Sequence, residues 1–136
     1  MNRARTILYV EDDPVVLKVH QKRLQLAGFH VIAACDGLEA IKRLSTFTPD
    51  LVLLDLMLPK FNGEEVLRFI RTNPALAKVP VIVLSTNSVV DMEQEKLLES
   101  TIKRLIKSQC TATSLLAAVQ EALTGAAVEV KSPEAK

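Results

Sequence analysis

The sequence predicts an α/β fold: a doubly wound parallel sheet of five strands with five helices. Two observations carry that prediction. Short β-rich runs alternate with longer segments of helical period along the whole chain. The third and fourth of these runs are apolar nearly throughout, as strands covered on both faces are. At 136 residues the chain suits one domain with a core of ordinary size, and it shows no internal repeat.

"TILYV" (6–10) is the first strand. Acids follow it, and Asp13 is placed to cap a helix with Pro14 at its first position, where a missing N–H costs nothing. Val16, Leu17, Val19, Leu24 and Ala27 fall on one side of that helix, and Gly28 stops it. "HVIAA" (30–34) is a weaker second strand, after which Asp36-Gly37 opens a helix with Leu38, Ile41 and Leu44 inward. "DLVLLD" (50–55) is the third strand, and "PKFNG" (59–63) is a loop of turn residues. The next helix runs through Val66, Leu67 and Ile70 and ends near Asn73-Pro74. "VPVIVLS" (79–85) is the fourth strand. Residues 88–100 read as a helix with Met92, Leu97 and Leu98 available to the core. "RLIK" (104–107) is a short fifth strand, and a last amphipathic helix spans about Thr113 to Leu123. The domain is therefore placed at 1–124, with 125–136 a tail or the start of a linker.

Composition narrows the class of function. Hydrophobic residues at 49% and charged residues at 24% fit a soluble globular protein. Seventeen basic against 16 acidic residues leave a net charge of +1, too little to draw nucleic acid or an anionic membrane as the main partner. The N-terminus turns acidic after a very short apolar stretch, unlike a signal peptide, and no apolar run approaches the roughly 20 residues of a membrane span. Cys35 and Cys110 lack metal-ligand spacing and read as reduced thiols, so a cytoplasmic setting is expected. His20 and His30 have no partner at ligand or catalytic spacing and read as surface or half-buried packing residues.

One residue resists a packing explanation. Asp55 sits inside "LVLLDLMLP", where an ionised carboxylate costs several kcal/mol unless something pairs with it. In an open parallel sheet ligands bind outside the carboxyl ends of the strands. Those ends carry Glu11, Asp12 and Asp13, then Asp55, then Ser85-Thr86, and finally Lys107. Crowded carboxylates without nearby His or Cys suit a hard, oxygen-loving ion, and Mg²⁺ fits because it keeps several waters. Three carboxylates carry three negative charges, which Mg²⁺ and Lys107 together balance. Such a site could accept a phosphoryl group on a carboxylate.

The set "VEDD", "LLDLMLPKFNG", "PVIVLS" and Lys107 resembles the receiver domain of two-component response regulators, over residues 6 to about 123. The resemblance implies the flavodoxin-like receiver fold and a signalling switch. Asp55 then matches the phosphoacceptor, Lys107 the lysine that contacts the phosphoryl oxygens, and Ser85 the switch hydroxyl. Glu11 and Asp12 match the acidic pair, Asp12 binding Mg²⁺ directly and Glu11 largely through water. The Met57 main-chain carbonyl would be a further ligand, and Gly63 matches the glycine of the loop after the acceptor strand. Implied partners are a sensor histidine kinase or histidine phosphotransfer protein and a downstream protein, and the resemblance allows a phosphorylation-linked dimer.

Four departures from the family pattern stand out, one of them a pair of residues. Thr86 follows the switch hydroxyl where a small residue is usual, and strand alternation favours Ser85 over Thr86 for that role. Ser108 follows Lys107 where the family has a proline in a cis bond, so a trans bond is expected, because cis before a non-proline residue costs roughly 3–4 kcal/mol. Arg104 stands at the position of a Tyr or Phe whose ring turns inward on activation, and Ser100-Thr101 replace a Gly-Ala pair. Met57 and Asn87 flank the path of a hydrolytic water, and neither is an acid, so slow self-dephosphorylation is expected.

The leading reading is a stand-alone, phosphorylation-controlled receiver. Its alternatives are an excised receiver of a larger regulator or hybrid kinase, and a pseudo-receiver that binds partners without phosphorylation. A turnover phosphatase would place an acid at position 57, which is methionine, and a flavin site would need a phosphate loop where the first strand instead meets acids.

Overall fold

A computed structural model describes residues 4–58, 62–85 and 98–128, with side chains through Thr124. The order is β1 (Thr6–Val10), α1 (Pro14–Leu26), β2 (His30–Ala34), α2 (Gly37–Leu44), β3 (Leu51–Asp55), α3 (Gly63–Thr72), β4 (Val81–Ser85), β5 (Lys103–Ile106) and α4 (Ala112–Val128). All strand pairings are parallel, in the order β2-β1-β3-β4-β5. The helix expected over 88–100 falls, except for its end, on 86–97; it lies outside the described residues with Thr86, Asn87, Met92 and Leu97. Pro59, Lys60 and Phe61 of the expected loop lie outside them as well.

Alternation along the strands builds two separate apolar layers. Leu8, Val10, Val52, Leu54, Val81 and Val83 face Ala40 and Leu44 of α2 and Val66, Leu67 and Ile70 of α3. Ile7, Tyr9, Leu51, Leu53, Ile82 and Leu84 face Leu24 of α1 and Leu115 and Val119 of α4. Every residue of β3 is buried, which is why its sequence shows no polar face. Among the described residues, no helix is long and apolar enough to cross a membrane.

The helix ends follow local chemistry. Asp13 accepts from the amides of Val15 (2.9 Å) and Val16 (3.3 Å), with Pro14 in the first turn. Gly28 adopts φ +100° just past α1, a conformation that costs a side-chain-bearing residue and suits glycine. Asn62 and Glu65 form a reciprocal capping box at α3. Arg71 donates to the carbonyls of Ala77 (3.0 Å), Val79 (2.9 Å) and Ser100 (2.8 Å), stapling the turn before β4 to the approach to β5.

Some expected faces and bounds shift. In α1 the inward positions are His20 and Leu24, with Val16 and Leu17 half-buried, whereas Val19 is 54% exposed and Ala27 is exposed. A histidine in the apolar stripe masked its true direction. In α2 the buried positions are Gly37, Ala40 and Leu44, while Leu38 faces out, because small residues give a weak apolar signal. The last helix continues past Leu123 to Val128: one glycine at 125 costs about 1 kcal/mol against alanine and is followed by Ala126-Ala127. Lys107 lies just beyond β5, as the first residue of a 3₁₀ turn (Lys107–Gln109) that closes through Cys110 N–H to the Lys107 carbonyl at 3.2 Å.

Candidate functional site

The strand order changes direction between β1 and β3, since β1 connects outward to β2 and β3 onward to β4. That is the switch point at which an open α/β sheet leaves a crevice at its carboxyl edge. Register brings the ends together: Val10 lies beside Leu54, Asp55 beside Leu84 and Ser85 beside Ile106. Glu11, Asp55 and Lys107 each follow a residue of the α1/α4 layer by two positions (Tyr9, Leu53 and Leu105), so alternation delivers all three to one side of the rim.

Lys107 Nζ donates to Glu11 Oε2 at 2.9 Å and to Asp55 Oδ2 at 3.0 Å. The backbone amide of Met57 donates to Asp55 Oδ1 at 2.9 Å, and that of Asp13 donates to Glu11 Oε2 at 3.2 Å. Asp55 is thus buried but paired on both oxygens, which removes the objection to an acid in a covered strand. Glu11 is fully buried, and its Oε1 has no hydrogen-bond partner. One carboxylate oxygen each from Glu11, Asp12 and Asp55 lie within 4.8 Å of one another, with Asp12 exposed at the mouth.

Titration behaviour follows from this crowding. Burial, foremost, pushes the Glu11 carboxyl above its ordinary range; the Lys107 hydrogen bond opposes the shift, and the Asp55 charge adds to it. For Lys107 burial is the largest single influence and acts downward. Its hydrogen bonds to Glu11 and Asp55, with their charges, outweigh burial and hold the ammonium above its ordinary value. One ammonium against three acids leaves the cluster short of positive charge. The orphaned Glu11 Oε1 and an all-oxygen donor set therefore fit a hard divalent cation such as Mg²⁺.

Four of the residues expected from the sequence, Glu11, Asp12, Asp55 and Lys107, are brought together. Met57 holds Asp55 through its amide and is itself 64% exposed beside it. Ser85 ends the adjacent strand β4 and is half-buried. No described peptide bond is cis, so Lys107–Ser108 is trans as expected, and Lys107 still reaches both acids. Arg104 is exposed on β5. Sequence reasoning missed the environment of His20. It is not a surface or half-buried residue but a buried one, and its Nδ1 lies 2.7 Å from the hydroxyl of fully buried Tyr9. The period of α1 could have located it, since positions 16, 20 and 24 share one face.

Five parallel strands in this order, with paired acids, a buried aspartate and a lysine at their carboxyl edge, are the architecture of a phosphorylation-based signalling domain. The family model of the response regulator receiver domain matches residues 7–120, and the chain belongs to that family. Among curated relatives, the alkaline phosphatase synthesis transcriptional regulatory protein PhoP of Bacillus subtilis is 37% identical over 94 residues, 69% of this chain and 37% of that protein. The chain spans about a third of the length of the first such relatives. The signal receiver domain of a signal transduction histidine kinase from Syntrophus aciditrophicus is 29% identical with a TM-score of 0.77, covering 98% of this chain and 97% of that one. The phosphorylated cyanobacterial phytochrome response regulator RcpA is 28% identical with a TM-score of 0.72, covering 95% and 97%.

Proposed function

We propose that this chain is a cytoplasmic, phosphorylation-controlled switch. Asp55 accepts a phosphoryl group from a sensor histidine kinase, a histidine phosphotransfer protein or a small phosphodonor, in a Mg²⁺-dependent reaction, and binding to a downstream protein changes as a result. The observation that carries this reading is the shared grip of one lysine on Asp55 and Glu11, beside a carboxylate oxygen left without a partner.

In the step itself, a lone pair on an Asp55 carboxylate oxygen attacks phosphorus and forms the new O–P bond. The bond from phosphorus to the donor's imidazole nitrogen, or to the leaving oxygen of a small phosphodonor, breaks, and its electron pair stays with the donor. Lys107 is close enough to Asp55 to follow the incoming oxygens and neutralise them. Ser85, at the end of the neighbouring strand, supplies a hydroxyl to the phosphoryl group, and that movement biases β4. Glu11, Asp12, Asp55 and the Met57 carbonyl would hold Mg²⁺, which when bound supplies positive charge opposite the phosphoryl oxygens.

Incubation with Mg²⁺ and acetyl phosphate tests the reading by intact mass. Wild type should gain one phosphoryl group, and Asp55→Ala or omission of Mg²⁺ should abolish the gain. A folded wild type that stays unmodified would instead favour a binding module independent of phosphorylation. The modified protein should also be long-lived, because the exposed Met57 side chain offers no base to a hydrolytic water. Decay within seconds at room temperature would contradict that.

A further inference from the structure

Beneath the acid rim, the apolar layer between the sheet and α1/α4 contains a buried polar pair. Tyr9 is fully buried among Ile7, Leu24, Leu53 and Val119, and its hydroxyl lies 2.7 Å from Nδ1 of buried His20. Their rings are 6.0 Å apart between centroids and inclined by only 21°. Two apolar side chains would fill the same space without the risk of an unpaired polar group, so stability alone does not account for the pair.

Its placement does. Tyr9 stands near the end of β1 and His20 midway along α1, and the chain between these elements is the turn Glu11–Asp13, which carries two of the site's three acids, Glu11 and Asp12. The hydrogen bond therefore crosses the two legs of the acid-bearing turn. A groove of about 240 Å³ opens beside the pair, lined by Val15, Val16, Val19 and His20 of α1, by Leu84 and Lys107, and by Cys110. The turn's other ties include Glu11 N–H to the Ala34 carbonyl at 3.0 Å, Lys107 Nζ and Asp13 N–H to Glu11 Oε2, and the Asp13 cap. They fix the turn to β2, to the residue after β5 and to the first turn of α1, and none of them joins the middle of α1 to the sheet.

We propose that Tyr9 and His20 are positioning residues whose buried hydrogen bond pins α1 to β1 and holds the Glu11–Asp13 turn in its metal-binding shape. This rests on the reading of the acid cluster as a Mg²⁺ site.

Calorimetric titration of the full chain with Mg²⁺ tests it, with folding checked by circular dichroism. Tyr9→Phe, which keeps the ring, and His20→Leu should each weaken Mg²⁺ binding about three- to tenfold, the scale of one net hydrogen bond. The double variant should be no worse than either single one, since the two residues act as a unit. His20→Asn offers a polar atom near the Nδ1 position and should restore most of the affinity. Ile70→Val, in the opposite apolar layer, should lower the melting temperature and leave Mg²⁺ binding unchanged. Tyr9 is the sole tyrosine and there is no tryptophan, so intrinsic emission reads this ring alone and should change on Mg²⁺ binding in wild type. Wild-type affinity in folded Tyr9→Phe and His20→Leu would overturn the proposal, as would equal loss in His20→Asn and His20→Leu. A wild type that binds no Mg²⁺ would overturn the reading of the acid cluster, and this inference with it.

Discussion

Lys107→Met is expected to abolish measurable phosphorylation of Asp55 and to lower folding stability by about 3 kcal/mol at neutral pH, the scale of breaking a buried ion pair by removing one partner. Among the described residues Lys107 is the one cation bonded to Glu11 and Asp55, whose side chains are 0% and 1% exposed. Methionine keeps much of the stem and removes the charge, so the loss reads electrostatics rather than packing. The sign of the pH dependence follows from Glu11. Its folded carboxyl titrates above its unfolded value, so between the two the native state binds more protons and stability falls as pH rises. Lys107 moderates that shift, and its removal must enlarge it. Urea titrations should therefore show the Lys107→Met deficit growing from mildly acidic to neutral pH. The lysine acts in the same sense at higher pH. Its folded value is raised, so its contribution is present below the unfolded value and is lost as pH rises through the folded one, a loss that Lys107→Met cannot show.

Gly63→Ala is expected to cost about 3 kcal/mol, the upper part of the range for overpacking, and to slow phosphorylation as well. A Cβ at 63 would stand 2.5 Å from the Asp55 carbonyl oxygen, 2.5 Å from Leu56 Cα and 3.1 Å from the Asp55 carbonyl carbon. All three are backbone atoms, so no side chain can swing aside. Relief requires moving the start of α3 from the end of β3, which breaks the Gly63 N–H bond to the Leu56 carbonyl (3.1 Å) and displaces the main chain of Asp55. Urea denaturation and the initial rate with acetyl phosphate measure the two effects. Wild-type stability in Gly63→Ala would contradict the close approach.

The strands were legible because a sheet covered on both faces leaves uninterrupted apolar runs, and β1, β3 and β4 emerge at or near their expected bounds. Asp55 was legible for the converse reason: an acid inside such a run needs a partner. Its partners came from order along the chain rather than spacing, since Lys107 is 52 positions away. What stayed hidden depended on side-chain direction. Val19 and Leu38 looked like core residues and face outward, and His20 looked peripheral and is buried. In each case a polar or small residue occupied the true inward position, where hydropathy gives the wrong sign or none. The direct contact of Glu11 with Lys107 was not legible either, because nothing in the sequence fixes which acids the ammonium meets.

Convergence of Glu11, Asp12 and Lys107 on Asp55 is tested most directly by locating the phosphoryl group. Acetyl phosphate and Mg²⁺ treatment, followed by borohydride reduction, converts an aspartyl phosphate to homoserine, which peptide mass mapping assigns to a position. The account predicts homoserine at residue 55 and nowhere else. Homoserine at 12, 13 or another aspartate, with residue 55 intact, would contradict it.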